Sequence, residues 1–371
     1  MTDVWRFAPL VPFSETLSFL TDIQRAELAE SRTSVRHARS VYPMTHRLNN
    51  AANLEAEGVF DDNRAGPFRV PAWGEATQFA MPYPPGATVL PVGPADWRAG
   101  GEVFLASPGG AVEVIGISAV GSGTITLDSA TTLSVLWAAP LRQCEAITPL
   151  AGSRMFDGLS DRRATFVTQD NTDLGAHDMP TVDGLMVIDD APVSARGTEQ
   201  AMVHPVQVID EGPGGVVIVP LRDGVDHRLS ISFTDVGLAA LWRRRQFWHA
   251  LRGRATEFWL PSFVRDLALR GDVAAASLTL RLVAPVWSPD LLTGRVLTLA
   301  DGGARVHRKV TAVTVDGADW VCDLSAAPGR LIWSGARVSI ARRMRLDTDD
   351  ITLTFPMPGM MVSGAACVGV P

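Results

Sequence analysis

Lysine is almost missing from this chain. Lys309 is the only one, and arginine supplies the other basic residues. That bias reflects a GC-rich coding source and carries no mechanism. An excess of positive charge is missing too: 40 acidic residues outnumber 33 basic ones, for a formal net charge of −7. Wrapping nucleic acid requires a surface that neutralises phosphates, so the charge argues against that class of partner. It is compatible with a channel wall past which DNA slides without sticking. Cysteine is scarce. Cys144, Cys322 and Cys367 are odd in number and far apart, and no CxxC pair occurs. A zinc or iron–sulfur site built on cysteine is therefore not expected, and buried free thiols are. No run of 18 apolar residues occurs, so no membrane-spanning helix is predicted. The opening MTDVWRFAPL lacks the basic and apolar regions of a signal peptide, which predicts assembly in a cytoplasm.

Catalytic motifs are missing as well. The histidines are His37, His46, His177, His204, His227, His249 and His307, and none stands at metal-ligand spacing from a cysteine or carboxylate. No GxSxG elbow, Walker loop or GxGxxG lies between a strand and a helix. Gly121-Ser122-Gly123 reads as a hairpin turn. The pairs Asp61-Asp62, Asp189-Asp190 and Asp349-Asp350 are sequence neighbours, which a strand would point to opposite faces, so they read as solvated turns and not as a glycosidase pair. Arg243-Arg244-Arg245 beside Trp242 and Trp248 reads as the wet face, or a subunit-contact face, of an amphipathic helix. No catalytic, cofactor-binding or metal-binding residue is assigned, and the chain is not expected to be an enzyme.

What is present is an internal repeat. Phe68-Arg69-Val70-Pro71-Ala72-Trp73 matches Phe258-Trp259-Leu260-Pro261-Ser262-Phe263, at an offset of 258 − 68 = 190. Gly101 to Ala106, with Gly109-Gly110 and Ala119-Val120, matches Gly294 to Leu299, with Gly302-Gly303 and Ala312-Val313, at 294 − 101 = 193. His46-Arg47-Leu48 recurs as His227-Arg228-Leu229 upstream of the signatures, which suggests one strand packed similarly twice. The 33 glycines and 25 prolines suit many short strands joined by turns. Val103 and Leu105 before the Gly-Gly pair, with Val112, Val114 and Ile115 after it, fit a hairpin. Thr124 to Leu127 alternates like a half-buried strand, and Asp316-Gly317 marks another hairpin turn.

The expected fold is mostly β: two related modules, each with an extended arm or strand layer and a small antiparallel barrel or sandwich. The N-terminal module covers 1–145 (arm 1–48, signature 68–73, barrel 88–145). A connecting β segment covers 146–225, with strands at Ala164 to Val167, Gly184 to Ile188 and Val216 to Val219, and a turn at Gly212 to Gly215. The C-terminal module covers 226–371 (helix 235–252, signature 258–263, barrel 290–356). Thr234 or Asp235 is the expected cap of the helix and Gly253 its stop. Leu238, Leu241, Trp242, Trp248 and Leu251 form its apolar face. A shorter helix is expected from Ala51 to Gly58. The proline of each signature suits an edge or corner, with the flanking rings as anchors.

Thr21-Asp22-Ile23, Glu30-Ser31-Arg32, Arg36 and Ala38-Arg39 stand within a stretch, Trp5 to Leu48, that resembles the N-terminal arm of siphophage tail-tip proteins. Residues 253–263, followed by Asp266, resemble the second signature of that family. Ala29 stands where such proteins often have a turn glycine, and Ala38 where they have proline. Propensity alone gives a helix from Ile23 to Glu30, whereas the resemblance implies strands and a turn. It further implies a distal tail protein. Such a protein is a ring subunit joining the tail tube to the baseplate hub and lining the DNA channel in a virion tail tip. Its expected partners are copies of itself (a hexamer, or a trimer with pseudo-sixfold symmetry), the tail tube protein, the hub and passing DNA. The alternatives are a trimeric hub or adaptor and a peripheral carbohydrate-binding tail protein. The latter needs exposed, clustered tryptophans among Trp97, Trp137, Trp320 and Trp333.

Overall fold

The computed structural model describes residues 3–26, 29–63, 66–155, 158–170, 173–174, 177–193, 200–204, 206–210, 212, 215–220 and 226–370. The chain is mostly β and antiparallel, as expected. Its first half runs β1 (Phe13–Ala26), β2 (Ala29–Asn49), α1 (Asn50–Asp62), β3 (Phe68–Pro71), β4 (Thr77–Tyr83), β5 (Val89–Pro91), β6 (Glu102–Ala106), β7 (Val112–Gly121), β8 (Thr124–Leu127), β9 (Val135–Ala146), β10 (Ala151–Arg154) and β11 (Leu159–Thr168). Two short strands follow, β12 (Thr181–Val182) and β13 (Leu185–Val187). The second half runs β14 (Gln200–Val203), β15 (Val206–Ile209), β16 (Val217–Pro220), β17 (Asp226–Val236), α2 (Leu238–Leu251), β18 (Glu257–Pro261), β19 (Thr279–Val283), β20 (Val296–Asp301), β21 (Ala304–Asp316), β22 (Asp319–Leu324), β23 (Arg337–Leu346), β24 (Asp350–Met357) and β25 (Met360–Gly369).

Nine strand pairings of the first half recur in the second, whereas β4–β9 is matched, among the described residues, only by a single bridge. β1–β2, β2–β11, β3–β9, β5–β8, β6–β7, β6–β9, β7–β8, β9–β11 and β10–β11 recur as β14–β17, β17–β25, β18–β23, β19–β22, β20–β21, β20–β23, β21–β22, β23–β25 and β24–β25. Even a bulge repeats: register slips between Ile117 and Ala119, and again between Val310 and Ala312. The duplication therefore extends through most of the topology.

The structure corrects one detail of the alignment. Gly100 donates to the Ile117 carbonyl as Gly294 donates to that of Val310, and both glycines have positive φ. The strand offset is therefore 294 − 100 = 194, not 193, ahead of the Gly-Gly turn. It returns to 193 beyond the turn because five residues separate the paired Ala106 and Val112, and four separate their counterparts Ala300 and Arg305. Side chains alternate with period two, so this one-residue slip decides which of them face inward. Val103 and Leu105 fill the core of one sheet, and Leu297 and Leu299, not Val296 and Thr298, fill the other.

Contacts divide the chain into two units: Met1–His177, Ser232–Gly253 and Thr348–Ala365 in the first, and Asp178–Ile231, Arg254–Asp347 and Ala366–Pro371 in the second. This partition does not follow the linear modules 1–145, 146–225 and 226–371, because α2 and β24 belong to the first unit. The first unit has an aromatic core, in which Trp5 meets Phe7, Phe68 and Phe166 at ring separations of 5.0, 6.3 and 5.2 Å. A second core of Leu90, Val103, Leu105, Ile115, Ile117 and Ile125 lies under β5–β9. The second unit is built around Leu280, Leu282, Leu297, Leu299, Trp320 and Val338.

Neither expected barrel closes. In the first half the ladder runs β4–β9–β6–β7–β8–β5, and no register joins β4 to β5. In the second half, residues 266–270 bridge β23 and β19 through Leu267–Val338 and Leu269–Leu282 without forming a strand of their own.

The long helix spans Leu238–Leu251, shorter than 235–252. Its cap is Gly237, with no side-chain hydrogen bond. Asp235 was the expected cap, but its Oδ2 instead accepts from Arg244 Nε at 3.2 Å. Arg252 takes the left-handed conformation that ends the helix, one residue before Gly253. α1 is longer than expected, with Asn49 Oδ1 accepting from the Ala52 amide at 2.9 Å. Strands occupy 164–167, 185–187 and 217–219 as read from sequence. Of the turn at 212–215, residues 213 and 214 lie outside the described residues.

Candidate functional site

The most distinctive feature of the first unit is an arm. β1 and β2 form one long hairpin. At its root, residues 13–18 pair with β24 and residues 41–49 with β11. Toward its tip, residues 20–26 and 29–36 pair only with each other among the described residues. Register shifts at Leu20 add twist where the ribbon leaves the sheet. The segment from Ile23 to Glu30 is thus strand on both sides of residues 27 and 28, which lie outside the described residues; cross-strand pairing overrides the local helical propensity. Leu20 and Val35 are exposed on the ribbon. A two-stranded ribbon is marginal alone in water, so this length of unsupported hairpin is suited to lying on another surface.

The arm root is fixed by charge. Glu15 of β1 and Arg245 of α2 are both buried, and Arg245 donates to Glu15 through both terminal nitrogens, Nη1 to Oε2 at 3.0 Å and Nη2 to Oε1. Arg245 also lies 3.3 Å from Glu75, and Glu75 lies 3.4 Å from Arg142. Arg142 reaches Asp96 at 3.1 Å, and Arg98 bridges Asp96 to Asp170. Burial alone would lower the guanidinium pKa of Arg245, but Glu15 and Glu75 drive it well above its ordinary value. Burial likewise pushes the Asp96 carboxyl up, and Arg98 and Arg142 together hold it below the usual carboxylate range. Higher on the arm, Asp349 accepts from the Thr21 amide at 3.2 Å and from its hydroxyl at 2.7 Å.

These positions correct two sequence expectations. Arg244 and Arg245 are each only 4% exposed, so the arginine run is not a wet face. Arg244 instead lies over the Phe233 ring, 3.7 Å from its centroid. Trp248 is buried as expected and Trp242 is half-buried. Of the acidic pairs, Asp61-Asp62 is exposed at the end of α1, whereas Asp349 holds the arm and Asp189 serves a buried histidine.

The two HRL triplets lie on equivalent strands but not at equivalent positions, since His46 pairs with Arg162 near the helix end of its strand whereas His227 lies against Gly369 at the far end of its own. His46 is buried, and its Nε2 accepts from Trp5 Nε1 at 3.0 Å, so its Nδ1 carries the proton and donates to the Ala8 carbonyl at 2.9 Å. Burial lowers its pKa. His227 is half-exposed, with Nδ1 2.7 Å from Arg342.

In the second unit the structure brings together three residues that sequence spacing does not connect. His307 Nδ1 lies 2.9 Å from Thr298 Oγ1, and its Nε2 lies 3.2 Å from Asp189 Oδ1. Thr298 and His307 are directly opposite on β20 and β21. Hydroxyl, imidazole and carboxylate in a row have the composition of a nucleophilic triad. Thr298 is buried, however, and its hydroxyl is closed to a substrate. The arrangement satisfies buried polar groups. Burial lowers the His307 pKa, against the pull of Asp189.

Each signature ends its strand at proline. Pro71 pairs with Leu141, and Pro261 with Ala341. Phe68 and Phe258 are fully buried anchors, Trp73 packs edge-on against Phe104 at 5.6 Å, and Phe263 is half-buried with positive φ. The four tryptophans weighed as a sugar platform are dispersed in environment. Trp97 and Trp137 are half-buried, Trp320 is buried against Trp287, and Trp333 alone of the four is exposed. All three cysteines are buried and none is in a disulfide. Among the described residues no cluster of three metal-ligating side chains occurs, and no helix is long and apolar enough to cross a membrane. No protein-family model matches the chain, and no curated protein matches it.

Proposed function

We propose that this chain is a structural ring subunit of a bacteriophage tail tip, of the distal-tail kind. In that role it joins the end of the tail tube to the baseplate hub and lines the channel through which DNA leaves. One observation carries the reading: a long arm hairpin projects past its own sheet from a root locked by the buried Glu15–Arg245 pair. An arm so anchored suits head-to-tail contact between copies, and such contacts close into rings when the rotation allows. The acidic net charge suits a channel wall that DNA passes without binding.

A second reading, a trimeric hub or adaptor, is favoured by the twofold repeat. Three copies of a duplicated chain present six near-equivalent modules, which would match a sixfold tube to a threefold hub. Imaging of tail tips, with copies of this chain counted about the axis, separates the two. Six copies support the distal-tail ring and three the adaptor. A monomer away from the axis contradicts both and moves weight to a peripheral carbohydrate-binding protein.

A further inference from the structure

The repeat leaves one sheet edge in each half that its counterpart does not leave. In the first unit, β1 of the first half lies between β2 and β24, a strand of the second half. The counterpart of residues 15–18 of β1 is β14, and the counterpart of β24 is β10. Within the second unit, β14 is registered against β17 alone among the described residues. Within the first unit, β10 is registered against β11 alone.

Both edges are exposed and lightly charged: β14 carries no charged residue and β10 only Arg154. Met202 and Val203 are exposed on β14, Met202 at 69%. Every residue of β10 is exposed, flanked by exposed Ile147 and Met155. Open edges of this kind recruit a strand from another chain, and natural proteins otherwise blunt them with charge.

We infer that β14 of one copy adds to β10 of a second copy, repeating between chains the pairing that β1 and β24 make within one. The occupant of each edge is the same chain, because the molecule already contains the solved form of this junction, and a duplicated chain with one internal junction presents the two halves of the next. The register follows from the equivalences. β11 aligns with β25 at 369 − 168 = 201, which carries the Ala151–Arg163 pair onto Thr352–Gly364. β2 aligns with β17 at 227 − 40 = 187, because His227 lies against Gly369, the equivalent of Thr168, and Thr168 accepts from the Ser40 amide; the Gly237 amide, donating to the Gly359 carbonyl, keeps the same register at the other end. Through Arg228–Ala201 and Val41–Thr16 this carries Thr16 onto Ala201. Thr16 pairs with Thr352. Ala201 of one copy therefore sits opposite Ala151 of the next. The contact is heterologous, so each copy gives one strand and receives one. It depends on the repeat and not on the tail-tip reading.

Two variants of the full chain with one added cysteine each, Ala151→Cys and Ala201→Cys, test it when mixed and oxidised. A disulfide between the two species is intermolecular by construction, and the native cysteines are buried. A third variant, Val120→Cys at an exposed position on β7, is the control for random collision. The expected result is a mixed dimer at least tenfold above the Val120→Cys plus Ala201→Cys mixture. In the wild-type background, Ala151→Asp with Ala201→Asp, which sets like charges opposite each other at two exposed positions, should then lower the sedimentation coefficient at a given concentration while circular dichroism stays unchanged. Equal yield in the control mixture overturns the pairing. So does a cross-link that forms only inside a chain carrying both cysteines. Cross-linking that succeeds in a protein absent from the tail axis would retain this interface and remove the tail-tip reading.

Discussion

Glu15 and Arg245 stand 230 residues apart in sequence and meet as a buried, two-pronged ion pair beneath the arm. Removing one partner leaves the other charged and buried. Arg245→Ala and Glu15→Ala should each destabilise the fold by about 3–5 kcal/mol, measured by urea denaturation. The double variant Glu15→Leu with Arg245→Met should recover most of that loss, because Glu75 keeps Arg142 as its partner and no charge is left stranded. Equal loss in the double variant would show that the helix depends on the charges themselves.

Gly253 has φ +63°, and a Cβ there would come within 2.4 Å of Asp349 Oδ1 and 3.0 Å of Phe19 Cβ. Gly86 also has positive φ, with open space around it. Gly86→Ala should therefore cost about 1 kcal/mol, from the backbone alone. Gly253→Ala should cost clearly more and also loosen the Asp349 contact with Thr21. The check is the denaturation midpoint of each variant, with hydrogen exchange at the Thr21 amide as the local readout.

The buried histidines give the stability a direction with pH. Burial holds His46 and His307 below the ordinary value of 6.5. The unfolded chain therefore takes up protons first as the medium is acidified. The contribution of these groups is complete above 6.5 and declines as pH falls below it, until the folded values are passed. Each group can add a slope of up to about 1.4 kcal/mol per pH unit in that window. Denaturation between pH 7.5 and 5 should show the decline. His46→Gln, which can still accept from Trp5 and donate to Ala8, should flatten it.

Burial pushes the thiols of Cys322 and Cys367 up to about 12, and that of Cys144 higher still. A thiolate-selective reagent should label none of the three in the native protein over minutes and all three in denaturant. Rapid labelling of the native protein would mean that one of the sheets opens.

Much of the fold was legible in the sequence because strands alternate and turns concentrate glycine. The repeat, the hairpins at Gly121-Ser122-Gly123 and Asp316-Gly317, and the long helix all follow from local pattern. The one-residue slip ahead of β20 was not legible, since GEVFLA and GRVLTL align by letter while the structure aligns them by hydrogen bond, Gly100 to Ile117 and Gly294 to Val310. The sequence leaves the choice between barrel and sandwich open because closure depends on whether β4 reaches β5, a non-local event. The arginine run was misread for a related reason. Its acidic partner lies in β1, and no spacing rule connects position 15 with position 245. Asp189 and His307 escaped the motif search for the same reason, while Thr298 and His307 were joined by a hairpin whose register had first to be known.

The proposal that this chain closes a ring at a tail tip is tested most directly by counting its copies about the axis of a native tail. Six copies, or three with both halves of the repeat alternating around the channel, are the predicted result. A single copy, or density for this chain away from the axis, would contradict it.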